Sequence, residues 1–174
     1  ELPLYQDIPA DTAVLVIAGP QEAISAAELG KINYYLQHGG SALILARSFD
    51  VNLQSMTATS TAANLNLMLN EWGVKVDRAL TYDLKSNENV TLRGRSVNYI
   101  LPYPLWLRAL ASPHNNVLGN LKAVILPWAS PLELIKYKLK QDTKVIPLLT
   151  TSKYAGKIGP AALDISPQRH WPSD

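Results

Sequence analysis

Ala13-Val-Leu-Val-Ile-Ala18, closed by Gly19-Pro20 and followed by Ser25-Ala-Ala-Glu28, reads as a strand that stops and a helix that starts. The apolar run is rich in β-branched residues, as in a parallel strand covered on both faces. Ser25 and Glu28 have capping-box spacing: the hydroxyl accepts from the Glu28 N–H while the carboxylate reaches back to the Ser25 N–H. Leu29, Ile32 and Leu36 then share one helical face, and Gly39-Gly40 supplies a left-handed C-terminal stop. Ala42-Leu-Ile-Leu-Ala46 follows as a second buried strand. A strand, helix and parallel strand cross over right-handed, so this unit sets the sheet and its packing hand.

Working outward, Leu2, Leu4 and Tyr5 suggest a short extended segment, and Arg47 to Thr61 reads as a Ser/Thr-rich loop with Ser60 or Thr61 capping a further helix. Leu65, Met68, Leu69 and Trp72 form that helix's apolar stripe, stopped by Gly73. From Val74 the period becomes two: Val74, Val76, Leu80 and Tyr82 alternate with polar residues, and Val97, Tyr99, Leu101 and Tyr103 repeat the pattern after a turn at 85–89. Ala123-Val-Ile-Leu126 reads as a buried strand. Ile135, Tyr137 and Leu139 alternate with Lys136, Lys138 and Lys140, which predicts a hairpin returning through Val145 to Leu149, edge-like because of Pro147. Such lysines either form a partner-binding stripe or keep an edge strand from pairing. Residues 151–174 read mostly as loop.

The chain has 174 residues, 47% of them hydrophobic, which suits one soluble domain. Its formal charge of +2 balances 16 basic against 14 acidic residues and argues against a nucleic-acid footprint or an extensive anionic-membrane contact. There is no cysteine, so thiol catalysis and disulfides are excluded. His38, His114 and His170 lack a second ligand at useful spacing, and no nucleophile elbow, phosphate loop or dinucleotide fingerprint follows a strand, so no metal or cofactor is expected. The chain starts at Glu1, which suggests a fragment of a longer protein.

Open α/β sheets bind ligands beyond the carboxyl ends of their strands. Those ends carry Gly19, Pro20, Gln21, Arg47, Asp83, Trp128 and Ser130. Arg47 suits a carboxylate or phosphate, and Trp128 suits a sugar or flat ring unless it fills core. Tyr103 and Trp106 form a second aromatic cluster that lines a partner groove or simply covers a sheet edge. Glu28 is read as a cap and Glu22 as solvated.

Several motifs, in order, carry a resemblance: Ile8-Pro-Ala-Asp11, Val14 to Pro20, Tyr35-Leu-Gln-His-Gly-Gly40, Asn66-Leu-Met-Leu-Asn-Glu-Trp-Gly73, Leu101-Pro-Tyr-Pro-Leu-Trp106, Leu126-Pro-Trp-Ala-Ser-Pro-Leu132 and Leu149-Thr-Thr-Ser152. Together they resemble the auxiliary components of ABC-type transport systems, the group of the gliding-motility protein GldG. The resemblance implies an α/β domain related to the class-I glutamine-amidotransferase-like and intraflagellar-transport-like domains. It would be carried outside the cytoplasm, periplasmic in setting, by membrane-anchoring segments beyond this chain, and would act with an ABC-2-type permease and an ATPase.

The expected fold is therefore a flavodoxin-like α/β/α sandwich, mostly parallel, with an antiparallel C-terminal hairpin. The expected role is non-enzymatic: partner docking through Tyr103, Trp106, Lys136, Lys138 and Lys140, or capture of a glycan or other small ligand. The amidotransferase nucleophile is a cysteine, which this chain lacks. A glycan- or amide-processing hydrolase is the rival, and it would need carboxylates such as Asp83 and Glu22 to converge with perturbed pKa values.

Overall fold

Local signals around the opening strand produce what their chemistry requires. In the computed structural model, which describes residues 6–93, 96–113, 117–159 and 163–171, Ser25 caps the first helix and exchanges both capping-box bonds with Glu28. In chain order the elements are β1 (Val14–Ala18), α1 (Ala26–Gln37), β2 (Ser41–Leu45), β3 (Phe49–Asn52), β4 (Thr57–Ser60), α2 (Asn66–Leu69), β5 (Val74–Val76), β6 (Leu80–Asp83), β7 (Asn87–Arg93), β8 (Asn98–Ala111), β9 (Ala123–Pro127), β10 (Leu132–Leu134), β11 (Leu149–Thr150), β12 (Ala155–Ile158) and β13 (Leu163–Asp164). They gather into two compact units, each woven from separated segments of the chain.

The first unit comprises 1–48, 61–76 and 132–141. Here β1 and β2 pair in parallel, from Val14 opposite Ser41 to Ala18 opposite Leu45. Leu15 joins Leu29 and Ile32 of α1 and Leu65 and Met68 in one buried cluster, where each large aliphatic contributes about 1.5–3 kcal/mol. The opposite sheet face is bare, with Val14, Val16, Leu43 and Leu45 all more than half exposed, so the expectation of strands covered on both faces is corrected. Gly40 is needed where the chain leaves α1, because a Cβ there would lie 2.4 Å from the Tyr35 ring. The Tyr35 hydroxyl itself donates to the Thr12 and Ser41 carbonyls.

The expected helix before Gly73 is shorter than its stripe. It begins at Asn66 and tightens into a 3-10 turn over Asn70–Trp72, because Ser60 is already spent in β4 and the Asn66 amide is clamped to both backbone groups of Val76. Gly73 closes it in the left-handed conformation, φ +76°, as expected. β5 then pairs antiparallel with β10.

The second unit comprises 49–60, 77–131 and 142–174 and is built from antiparallel β-structure. β8 is central to a four-stranded sheet: β7 and β11 lie along one edge and β9 along the other, since Leu107 pairs with both Asn87 and Leu126, and Leu110 with both Thr150 and Ala123. β6 pairs with β12, and β4 pairs with both β3 and β13. Phe49, Ala58, Leu80, Tyr103, Leu105, Leu163 and Ile165 form its core.

The expected flavodoxin-like or amidotransferase-like parallel sandwich is thus overturned. The β1–β2 pair is the one parallel pairing among the described residues, and from Phe49 onward short strands of period two pair antiparallel. The supposed loop at 47–61 holds the β3–β4 hairpin, whose Thr/Ser content hides its alternation. The strand expected across 74–83 breaks at Asp77, whose N–H turns to the Pro131 carbonyl. The C-terminal loop region contains β12 and β13.

The lysine hairpin does not form either. Ile135 donates to the Gly73 carbonyl, Lys136–Lys138 coil into a 3-10 turn, and β11 pairs with β8 instead. Leu2, Leu4, Tyr5 and His114 lie outside the described residues.

Candidate functional site

In the first unit Gly19 and Arg47 come together just beyond β1 and β2. Gly19 turns at φ +53° and donates to the Leu45 carbonyl at 2.8 Å, and the Arg47 Nη1 lies 3.4 Å from where a Cβ on Gly19 would stand. Pro20 is half-buried beside them and Gln21 is exposed. Asp83, Trp128 and Ser130 belong to the second unit, so the strand-end residues form two groups rather than one.

Asp83 is almost completely buried, at 1% exposure. Its carboxylate accepts from the Lys85, Ser86 and Ser152 N–H groups and from the Ser152 hydroxyl, at 2.7–3.0 Å. Burial pushes this carboxyl up, and the donors outweigh it, leaving the pKa below the usual carboxylate value. The arrangement holds an ionised acceptor that ties the β6–β7 turn to the segment before β12. It is the opposite of what a general acid requires.

Trp128 follows β9 in the left-handed region, φ +50°, fixed by its N–H on the Leu105 carbonyl at 2.8 Å. Its indole N–H donates at 3.0 Å to the Tyr103 hydroxyl, which donates in turn to the Ile165 carbonyl. Burial raises the Tyr103 pKa and keeps the phenol a donor. Trp106 sits edge-on to Trp128, centroids 5.8 Å apart, with its own indole nitrogen buried and unpaired. Tyr103, Trp106 and Trp128 therefore meet, and they meet in and against the core, with Tyr103 at 1% exposure.

The basic segment lies on the surface of the first unit. Lys136, Tyr137, Lys138 and Lys140 are exposed, Tyr137 at 86%, while Leu139 tucks against Gly73. Leu132 and Leu134 of β10 are also exposed.

Sequence reasoning passed over a cleft of about 800 Å³ beside α1, lined by Lys31, Tyr34, Tyr35, His38 and the 7–12 segment. Tyr34 and His38 stack there with centroids 3.9 Å apart, and Lys31 pairs with Asp7 at 3.3 Å. The signal was present, since residues four apart share a helix face.

A family model described as an ABC-type uncharacterized transport system matches residues 1–173. The chain belongs to this family of ABC transport auxiliary components. No curated protein matches the sequence. Among solved structures, this ABC transport auxiliary chain is similar in fold to one described as the mmIFT52 N-terminal domain. The identity is 20% and the TM-score 0.51, over 82% of this chain and 54% of that one. The auxiliary chain thus spans about half the length of that structure.

Proposed function

We propose that the chain is a non-catalytic docking module of an ABC transport complex, working on the extracytoplasmic side and meeting the permease through the Lys136–Lys140 turn. The observation that carries this reading is the turn itself. Three lysines and an 86% exposed tyrosine are presented on a backbone pinned at Ile135 and Leu139, next to exposed Leu132 and Leu134. A pinned turn loses little entropy on binding, and its mixed cationic and apolar surface suits an acidic partner face with an apolar centre. Family membership supports partners within a transport system, and a permease and an ATPase are the ones we propose. The fully engaged Asp83 speaks against the hydrolase rival, because its lone pairs are committed to structural donors.

The test is co-purification of the full-length, membrane-extracted parent with its transporter partners, repeated with Lys136, Lys138 and Lys140 changed to Glu. Permease and ATPase should accompany the wild type and be lost from the variant. Retention by the variant would remove the turn from the interface, and failure of the wild type to recover either would overturn the docking role.

The cleft beside α1 favours ligand capture as a second reading, with the Tyr34–His38 stack as a platform for a sugar ring. Soluble glycans titrated against the chain should shift the NMR signals of those two residues. Unmoved signals would exclude it.

A further inference from the structure

We propose that the bare face of the β1–β2 sheet is the seat of an amphipathic α-helix supplied by the parent polypeptide outside residues 1–174. This goes beyond the docking role and uses a different surface of the first unit.

Strand register places Val14, Val16 and Ala18 of β1 beside Ser41, Leu43 and Leu45 of β2 on one face. All six are exposed, the four large aliphatics by 51–57%, and none carries a charge. Leu15 turns the other way and is buried with Leu29 and Ile32 of α1. A sheet face that stays in water carries polar residues at such positions; here they are aliphatic. Among the described residues β1 and β2 pair only with each other, so each also keeps an outer edge without a strand. The helix on one side and the bare strip on the other make half of a layered unit.

The dimensions select the occupant. Two strands about 4.8 Å apart, with their side chains, make a strip about 10 Å wide. At about 3.3 Å per residue, the five residues of each strand make it roughly 16 Å long. A helix about 10 Å across covers that length in about 11 residues. α1 covers the opposite face with 12 residues. Parallel strands joined by a crossover take helices on both faces, whereas sheet against sheet is the packing of antiparallel sandwiches, so a helix fits this strip better than the same strip of a second copy. The fold match bears on the source. It takes in 82% of this chain and 54% of the similar solved structure, so a protein of this fold carries chain beyond the matched part. A helix tethered in the same polypeptide binds at high effective concentration and needs no second molecule.

The chain has no cysteine, so single ones report on single positions. In the full-length, membrane-extracted parent, with any cysteines outside residues 1–174 changed to Ser, Val16→Cys and Leu43→Cys should react with a maleimide at least about tenfold more slowly than Leu53→Cys. Leu53 stands 61% exposed between β3 and β4, and all three positions should react alike in urea. Photoreactive benzoylphenylalanine in place of Leu45, at the end of the strip, should cross-link within the same polypeptide to a segment outside residues 1–174 whose apolar residues recur three and four apart. Deleting that segment should restore fast labelling at 16 and 43 and leave labelling at 53 unchanged. Fast labelling at 16 and 43 in the intact parent, slow labelling that survives the deletion, or no cross-link would each overturn the proposal. So would a cross-link to a second copy, to another protein or to lipid. Lys136, Lys138 and Lys140 take no part in these measurements, so this proposal and the docking role fail separately.

Discussion

Two buried side chains show how individual groups govern the second unit. Tyr103 joins three segments through one hydroxyl, so Tyr103→Phe leaves the Trp128 indole N–H and the Ile165 carbonyl without partners. The expected cost is about 1–3 kcal/mol in urea denaturation. Trp106 offers the contrast: its indole N–H is already unpaired, so Trp106→Phe should cost less than Trp128→Phe in the same experiment.

Asp83 makes stability depend on pH. Its folded carboxyl titrates below its unfolded counterpart, so its contribution is complete above roughly pH 4 and is lost as pH falls through the folded value. Asp83→Asn replaces an acceptor with a donor facing N–H groups. It should cost about 1–3 kcal/mol at pH 7 and flatten the acid limb of a stability profile. The capping role of Asp83 could not be read from sequence, because Ser152 is 69 positions away. Glu28 could be, since its partner is three residues distant.

At the scale of elements, what was legible was local. The capping box, the left-handed Gly73 and the alternation through Tyr99 and Tyr103 all express contacts within a turn or a strand. Long-range partners decided the rest. The Lys136–Lys140 alternation is sound strand patterning, yet the Gly73 carbonyl takes the Ile135 N–H and Leu139 packs against Gly73, so the segment coils. This gives Gly73→Ala two costs. A side chain at φ +76° is strained, by roughly 1–2 kcal/mol, and its Cβ would lie 2.6 Å from Leu139. The variant should melt earlier and loosen the turn, which amide hydrogen exchange at Lys138 and Leu139 would register. The β3–β4 hairpin escaped notice for a different reason: Thr57, Thr59 and Ser60 mask an apolar face reduced to Phe49, Val51 and Ala58.

For the whole molecule, the misread class follows from extrapolating one βαβ unit across a chain in which, among the described residues, it occurs once. Strand-end logic listed Gly19, Pro20, Gln21 and Arg47, which follow β1 and β2 of the first unit, together with Asp83, Trp128 and Ser130, which belong to the second. The weave of segments also predicts how the chain tolerates cutting. Fragment 1–76 lacks β10, the partner of β5, and fragment 77–174 lacks Phe49 and Ala58. Neither should give a cooperative thermal transition, whereas the intact chain should.

The same weave sets a timetable for synthesis. β1, α1 and β2 emerge early, but their unit is finished only when residues 132–141 have been made, and the other unit waits for β12 and β13. Neither core can close before the last of its segments has been made. Until then the apolar side chains that will fill them, Leu15, Leu29 and Ile32 in one and Phe49, Ala58 and Leu80 in the other, stay open to holding factors.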